Sequence, residues 1–438
     1  VELKKNVPEY TGKKVAFFTL GCKLNFAETS SIARQFDELG FERVPFKNIA
    51  DVYVVNSCSV TAESDKKSRN MIRSALRRNP SAYMVVTGCY AQLKSAEIAA
   101  IPGVDCILGS NEKWNIPRFL NGLVKNRQAF VNVSPYKNIN SYLPASSFGD
   151  RTRSFLKVQD GCNYFCTYCT IPLARGKSRN LSIGDAVNEA DKLVGKGIHE
   201  IILTGVNIGD FGRSTGESFP DLLRALGKVE GLERIRISSV EPDLLTDEVI
   251  EMVAAPGPFM PHFHIPLQSG SNEVLALMHR RYTRELFAGR VAKIRTLLPD
   301  AFIGVDVIAG TNGESDALFR DSYNFIRDQD ITQLHVFPYS ERPDTQALTI
   351  PGVVPVPVRK ERVQQLIALS DRKHRLFSER FVGKIRPVLF ESERKNHRIS
   401  GWTDNYLRVE RAWDERLINK IVPVTLLDLN DKGIFTGA

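Results

Sequence analysis

FLKVQDGCNYFCTYC, residues 155–169, is a short apolar strand that runs into three cysteines spaced C-x3-C-x2-C. Cys162, Cys166 and Cys169 thus share one loop. Three thiolates in a short loop can bind three irons of a [4Fe-4S] cube and leave the fourth iron without a protein ligand. An iron with an open position is a reactive iron. Zinc is the weaker alternative, because a structural zinc site takes four ligands and no fourth cysteine or histidine stands nearby.

Downstream, five more strand-like segments follow, most of them trailed by a helical pattern: EIILTGVNIG (200–209), RIRISSV (234–240), HFHIPLQSG (262–270), FIGVDVIAG (302–310) and LHVFPYS (334–340). Six βα units predict a partial TIM-like barrel whose chemistry lies at the C-terminal strand ends. LTGVNIG places Thr204, Gly205 and Asn207 at one such end, where small residues admit a ligand to the backbone and Asn207 offers both donor and acceptor. TIPLARGKSRN, residues 170–180, brings Arg175, Lys177 and Arg179 to the same mouth. Arg175 has the geometry for a cofactor carboxylate, and the other two suit RNA phosphate. His262, His264 and His335 show no metal-ligand spacing, and His264 on an apolar strand reads as a core or supporting residue.

Upstream, KVAFFTL (14–20), DVYVVN (51–56) and AYMVVTG (82–88) alternate with amphipathic helices, an α/β pattern with an open parallel sheet. Each strand runs into a cysteine, Cys22, Cys58 or Cys89. Sites in open parallel sheets form at the carboxyl ends of the strands, so three thiols distant in sequence can converge on one crevice. Cys106, inside DCILG, reads as a small core hydrophobe. The polar stretch 134–150 reads as a linker. The expected domains are therefore 13–133, an N-terminal α/β domain; 151–378, the partial barrel; and 379–438, a small β-barrel built from KIRPVLFE, HRISGWTD, YLRVERA and KIVPVTLLDL. In that last segment Lys384, Arg386, Arg394, Lys395, His397 and Arg398 interleave with Phe390, Trp402 and Tyr406, a mixture suited to RNA backbone and unstacked bases.

Composition agrees with this layout. The 438 residues carry a formal charge of +9, which suits a polyanionic partner, and 42% hydrophobic with 25% charged residues excludes a disordered chain. No apolar run approaches the roughly 18–20 residues that a bilayer span requires, and VELKKNVPEY has no signal-peptide core, so a cytoplasmic location is expected. Seven cysteines in that compartment argue for metal or catalysis and against a disulfide framework. There is no P-loop, G-x-S-x-G elbow or complete G-x-G-x-x-G, which removes hydrolase and kinase readings.

The C-x3-C-x2-C loop on a six-unit barrel resembles the radical S-adenosylmethionine superfamily. TLGCKLN, NSCSVT and VTGCYAQ are similar to the cluster motifs of its methylthiotransferases, and VLFESERKNHRISGWTDNYLRV resembles the TRAM RNA-binding domain. Within that family TLGCKLN, NSCSVTAESDKKSR and HRRYT look most like the MtaB-type branch. The resemblance implies two [4Fe-4S] clusters, one on Cys162, Cys166 and Cys169 and an auxiliary one on Cys22, Cys58 and Cys89, opening toward a shared pocket. It implies S-adenosylmethionine held by Thr204, Gly205 and Asn207, by Ser238 and Glu241 near the ribose, by Gln268, and by Arg175. It implies methylthiolation of N(6)-threonylcarbamoyladenosine at carbon 2, beside the anticodon of tRNA, with a cellular electron donor and a sulfur donor as further partners. The MiaB-type (isopentenyl) and RimO-type (ribosomal-protein aspartate) branches are the enzyme alternatives. A non-catalytic RNA-binding iron–sulfur protein is the alternative of another class.

Overall fold

VYVVNS and YMVVTG are buried at every residue, as strands of a parallel sheet covered on both faces must be. They form the centre of a six-stranded sheet in the computed structural model, which describes residues 9–149 and 151–438. Residues 1–8, on which the signal-peptide reading rests, and residue 150, the end of the expected linker, lie outside the described residues. The strands are β1 (Lys14–Thr19), β2 (Glu42–Arg43), β3 (Val52–Ser57), β4 (Tyr83–Gly88), β5 (Cys106–Leu108) and β6 (Phe130–Asn132), ordered β2-β1-β3-β4-β5-β6 and paired in parallel. β2 and β6, of two and three residues, were not expected, because neither has an apolar run long enough to declare a strand.

Helices α1 (Lys23–Glu38) and α2 (Ala62–Arg78) follow β1 and β3. The Thr61 hydroxyl caps α2 by accepting from the Ser64 N–H at 3.2 Å, with Glu63 and Asp65 in the first turn and Arg77 and Arg78 in the last, as the helix dipole favours. Cys106 is fully buried in β5, as a core hydrophobe.

The chain divides into two compact units. The first takes the chain up to Ser147 together with Asp160–Asn163 and Cys169–Arg179; the second takes Phe148–Gln159, Tyr164–Tyr168 and Asn180–Ala438. The second unit holds six parallel strands, β7 (Ser154–Lys157), β8 (Glu200–Thr204), β9 (Arg234–Ile237), β10 (His262–Gln268), β11 (Phe302–Ala309) and β12 (Gln333–Pro338). β7, β8 and β9 form one parallel arc and β10, β11 and β12 another, joined by a parallel bridge between Ser239 and His264. Alternate residues explain the core: Phe263, Ile265 and Leu267 of β10 and Ile303, Val305 and Val307 of β11 pack with helix residues such as Phe287, Val291 and Phe319. The opposite parity faces the inside of the arc.

The same unit ends in a closed five-stranded barrel, β13 (Ile385–Lys395), β14 (Arg398–Thr403), β15 (Arg408–Ala412), β16 (Ile421–Leu429) and β17 (Ile434–Gly437). β17 was missed in the sequence: four residues, preceded by one glycine and ending in another, carry little periodicity, yet they close the barrel between β15 and β16. The aromatic residues expected to meet RNA are otherwise engaged. Phe390 lies fully buried in the barrel core. Trp402 and Tyr406 stack on each other at 4.5 Å, with the Arg153 guanidinium 5.2 Å from the Trp402 ring. The basic tip at Arg394, Lys395, His397 and Arg398 stays exposed on a hairpin whose Asn396 and His397 have positive φ, the signature of a type I′ turn.

Candidate functional site

Three strand ends of the first unit gather the dispersed cysteines. Cys22 immediately precedes α1, Cys58 follows β3, and Cys89 opens the short helix α3 (Cys89–Leu93) after β4. A Cβ built on Gly21 would lie 3.1 Å from Cys58 Sγ, a measure of how closely the first two loops approach. Gly88 has φ +94°, and a Cβ there would fall 2.3 Å from the Ser57 carbonyl, so only glycine lets Cys89 turn in against the neighbouring strand end. Burial pushes the Cys58 thiol up to about 11, and the neighbouring Cys89 and Cys22 thiols add to the rise. Cysteine thiols become thiolates when a metal takes the protons' place. Soft sulfur donors, none in a disulfide, fit an iron–sulfur cluster.

The same unit contains Cys162 and Cys169. Gly161, with φ +72°, allows the Cys162 N–H to donate to the Gly176 carbonyl at 3.1 Å; a Cβ on Gly161 would collide with the Lys177 carbonyl at 2.0 Å. The Cys169 sulfur accepts the Ile171 N–H at 3.5 Å.

Arg175 departs from its expected role. Its side chain is only 2% exposed, and Nη1 lies 3.0 Å from Glu28 Oε1 and 2.9 Å from Asp160 Oδ1. Lys113 Nζ reaches the same Glu28 at 2.7 Å, and Arg179 Nη2 reaches Asp160 at 3.1 Å. Two buried carboxylates hold the guanidinium, which leaves it no fork to offer a cofactor carboxylate. The Arg175 charge instead opposes the burial that raises Cys89. Arg179 is likewise buried and paired, so of the three basic residues in this loop only Lys177 is exposed for phosphate. Glu28 in α1, one helical face on from Cys22, and Asp160, just ahead of Cys162, thereby meet on one cation.

In the second unit, the strand-end residues are ordered by Gln159. Gln159 Oε1 accepts the N–H groups of Val206 and Asn207, each at 2.9 Å, and orders the turn after Thr204. A Cβ at Gly205 would lie 2.8 Å from that same oxygen. The Asn207 amide is 2% exposed, and neither its nitrogen nor its oxygen has a well-formed hydrogen bond. Ser238 lies just past β9; Gln268 ends β10 in a left-handed conformation, φ +68°. Burial pushes the Glu241 carboxyl up to about 7, opposed by the adjoining Arg280.

Arg280 was not singled out from the sequence. It pairs with Glu241, and its Nη1 donates to Cys166 Sγ at 3.0 Å. A cation against the sulfur favours the thiolate that a cluster needs. Tyr164 was missed as well; its hydroxyl donates to Asp243 Oδ2 at 2.6 Å. HRRYT and the loop's own tyrosine were the only signals, since the pairings join residues far apart in the chain. The third missed group is His264, Asp306 and His335, whose ligand atoms lie within 4.8 Å of one another.

Comparison with known proteins agrees with this geometry. The model of the radical SAM superfamily matches residues 156–326, and that of the uncharacterized protein family UPF0004 matches residues 14–109. Among solved structures, the radical S-adenosylmethionine methyltransferase TsrM from Kitasatospora setae aligns with a TM-score of 0.55 at 16% identity, covering 76% of this chain and 77% of that one, a likeness of fold. A threonylcarbamoyladenosine tRNA methylthiotransferase MtaB of Bacillus subtilis (strain 168) is 43% identical over 94% of this chain and 93% of its own length. One of Thermotoga maritima is 36% identical, over 97% and 96%. A tRNA-2-methylthio-N(6)-dimethylallyladenosine synthase of Parafrankia sp. is 34% identical, over 94% and 84%. Two cysteine trios on the expected strand ends, together with such identity along nearly the full length of both chains, assign the protein to the radical S-adenosylmethionine methylthiotransferase family, in its MtaB-type branch.

Proposed function

We propose that this chain places a methylthio group on carbon 2 of N(6)-threonylcarbamoyladenosine next to the anticodon of tRNA. The observation that carries the reading is the gathering of Cys22, Cys58 and Cys89 at the ends of adjoining parallel strands, in a chain 43% identical to a relative of that activity. Cys162, Cys166 and Cys169 would hold one [4Fe-4S] cluster and Cys22, Cys58 and Cys89 the second. When bound, these clusters supply the electron that cleaves S-adenosylmethionine and the site that carries sulfur, chemistry that no side-chain base can perform on an aromatic C–H bond.

The chain's own residues bind, orient and exclude water. Thr204, Gly205 and Asn207 would receive the methionine moiety, Ser238 and Glu241 the ribose, and Gln268 the adjoining strand end. Arg280 holds Glu241 in place and faces Cys166. The working modules are 13–133 for the auxiliary cluster, 151–378 for the radical core and 379–438 for RNA, joined by the linker 134–150. The exposed tip Arg394–Arg398 supplies charge for the RNA backbone. Among the described residues no helix is long and apolar enough to cross a membrane. A cytoplasmic location, an electron donor and a sulfur donor complete the proposal.

Mass spectrometry of tRNA nucleosides from cells lacking the gene tests it. The 2-methylthio form of threonylcarbamoyladenosine should vanish and return with the wild-type gene. Loss of the isopentenyl analogue instead would overturn the substrate assignment. Absence of 5′-deoxyadenosine after anaerobic reduction of the reconstituted protein would overturn the radical chemistry itself.

A further inference from the structure

The inside of the six-stranded arc is closed at the N-terminal strand ends. The His262 ring lies 4.6 Å and the Phe302 ring 5.6 Å from the Tyr406 ring, and the Arg236 guanidinium sits 4.8 Å from that ring. Arg236 donates to the Asp404 carbonyl at 3.0 Å and Arg234 to the Pro387 carbonyl at 2.8 Å. The C-terminal barrel thus forms a floor, and a ligand enters the arc from the strand ends that carry the site.

Above that floor, three polar side chains project inward from adjacent strands. His264, Asp306 and His335 have the parity opposite to the core residues Phe263, Ile265, Val305, Val307 and Leu334, so the pleat turns them to the inside. His264 Nε2 lies 2.7 Å and His335 Nδ1 3.0 Å from the same oxygen, Asp306 Oδ1. The two imidazoles hold the Asp306 carboxyl well below the usual carboxylate range, against its burial. With Asp306 ionised, both of these ring nitrogens donate. The three side chains are 18%, 21% and 42% exposed, and among the described residues His264 Nδ1, His335 Nε2 and Asp306 Oδ2 form no hydrogen bond or ion pair. Asp306 also lies within electrostatic range of Glu241, which joins Arg280 and Cys166. The Val240 N–H donates to the His264 carbonyl at 3.1 Å, which sets the trio's first strand beside the loop that carries Glu241.

A pocket that held an apolar arm would leave these groups unpaired at a cost, whereas a site built to hydrogen-bond a polar arm rejects the analogue that lacks it. The threonylcarbamoyl arm bears a carboxylate, a hydroxyl and urea N–H groups; the isopentenyl arm bears none. We propose that His264, Asp306 and His335 form the subsite for the substrate's side arm, the two rings as imidazolium ions, each donating one N–H to Asp306 and the other to the arm's carboxylate, with Asp306 accepting from its hydroxyl or urea N–H, and that this subsite sets specificity. The inference rests on the proposed substrate and names the residues that read it.

The test uses the full chain with its clusters reconstituted and an anticodon stem-loop RNA carrying threonylcarbamoyladenosine, the same RNA with the arm's carboxylate converted to a methyl ester, and the isopentenyl RNA. With the wild type, esterification should weaken binding about tenfold, the worth of a hydrogen bond to a charged group. In His335→Leu and in His264→Leu the ester penalty should fall, and in the double variant it should fall below about twofold, because the groups that sensed the charge are gone. His335→Gln, which keeps a donor, should restore part of it and serves if His335→Leu does not fold. An unchanged ester penalty in both folded variants would overturn the subsite while leaving the proposed substrate standing. A wild type that prefers the isopentenyl RNA would overturn the substrate reading itself. A divalent ion bound beyond the cluster iron and lost in His264→Leu would show the trio to be a metal site and overturn the proposal.

Discussion

One cysteine trio comes from eight consecutive residues and the other from three strand ends spread over the first unit. The contrast separates two ways of building a site. Cys162, Cys166 and Cys169 are brought together by chain connectivity, so their spacing survives moderate disturbance elsewhere. Cys22, Cys58 and Cys89 are brought together only by the pairing of β1, β3 and β4, so whatever loosens the sheet loosens that site first. The two are nevertheless tied: Arg175 joins Glu28, in the helix that follows Cys22, to Asp160, just ahead of Cys162.

The largest expected effect breaks the comparison at its centre. Cys162→Ala should abolish S-adenosylmethionine cleavage, whereas Cys58→Ala should remove the auxiliary cluster and all methylthiolated product while leaving cleavage measurable. Iron content and 5′-deoxyadenosine formation distinguish them, and unchanged iron in Cys58→Ala would remove that residue from the ligand set. Next, Arg175→Met leaves Glu28 and Asp160 buried with too few cations, and breaking such a buried network costs about 3–5 kcal/mol. Urea unfolding should report that loss, and both cysteine sites should lose iron together; loss at one alone would mean that the clamp does not couple them.

Gly88→Ala acts on the dispersed trio only. Its backbone conformation and the approach of the Ser57 carbonyl make about 3 kcal/mol a reasonable magnitude. The spectroscopic signal of the auxiliary cluster should weaken while cleavage persists. The smallest effect is Thr61→Ala, which removes the cap of the helix after Cys58 and should cost about 1 kcal/mol in thermal or urea unfolding, with no change in iron. A loss of auxiliary iron in Thr61→Ala would show that this site tolerates even less than the contrast implies.

Much of the site was legible as local pattern. The six barrel strands, the three parallel strands that end in cysteine and the C-x3-C-x2-C loop each show in apolar runs a few residues long, and the structure places them where those runs predict. What stayed hidden was partnership. TIPLARGKSRN exposes three basic residues to the reader, yet Arg175 and Arg179 are claimed by carboxylates that no spacing rule connects to them. Arg280 is unremarkable in sequence until Cys166 and Glu241 come to it. Trp402 and Tyr406 looked available to bases and instead stack where the small barrel meets the arc.

The sequence by itself determined the periodicities, hence the strands and helices, and the chemistry of the thiols, hence the kind of metal they suit. These are local properties, set by neighbours along the chain. Only the tertiary structure decided which charges are spent on one another and which remain for a ligand. A buried ion pair is fixed by burial and distance at once, and both arise only when segments far apart in sequence pack together. Arg175 and His335 are the two outcomes: the first closed off by its partners, the second held open toward the inside of the arc.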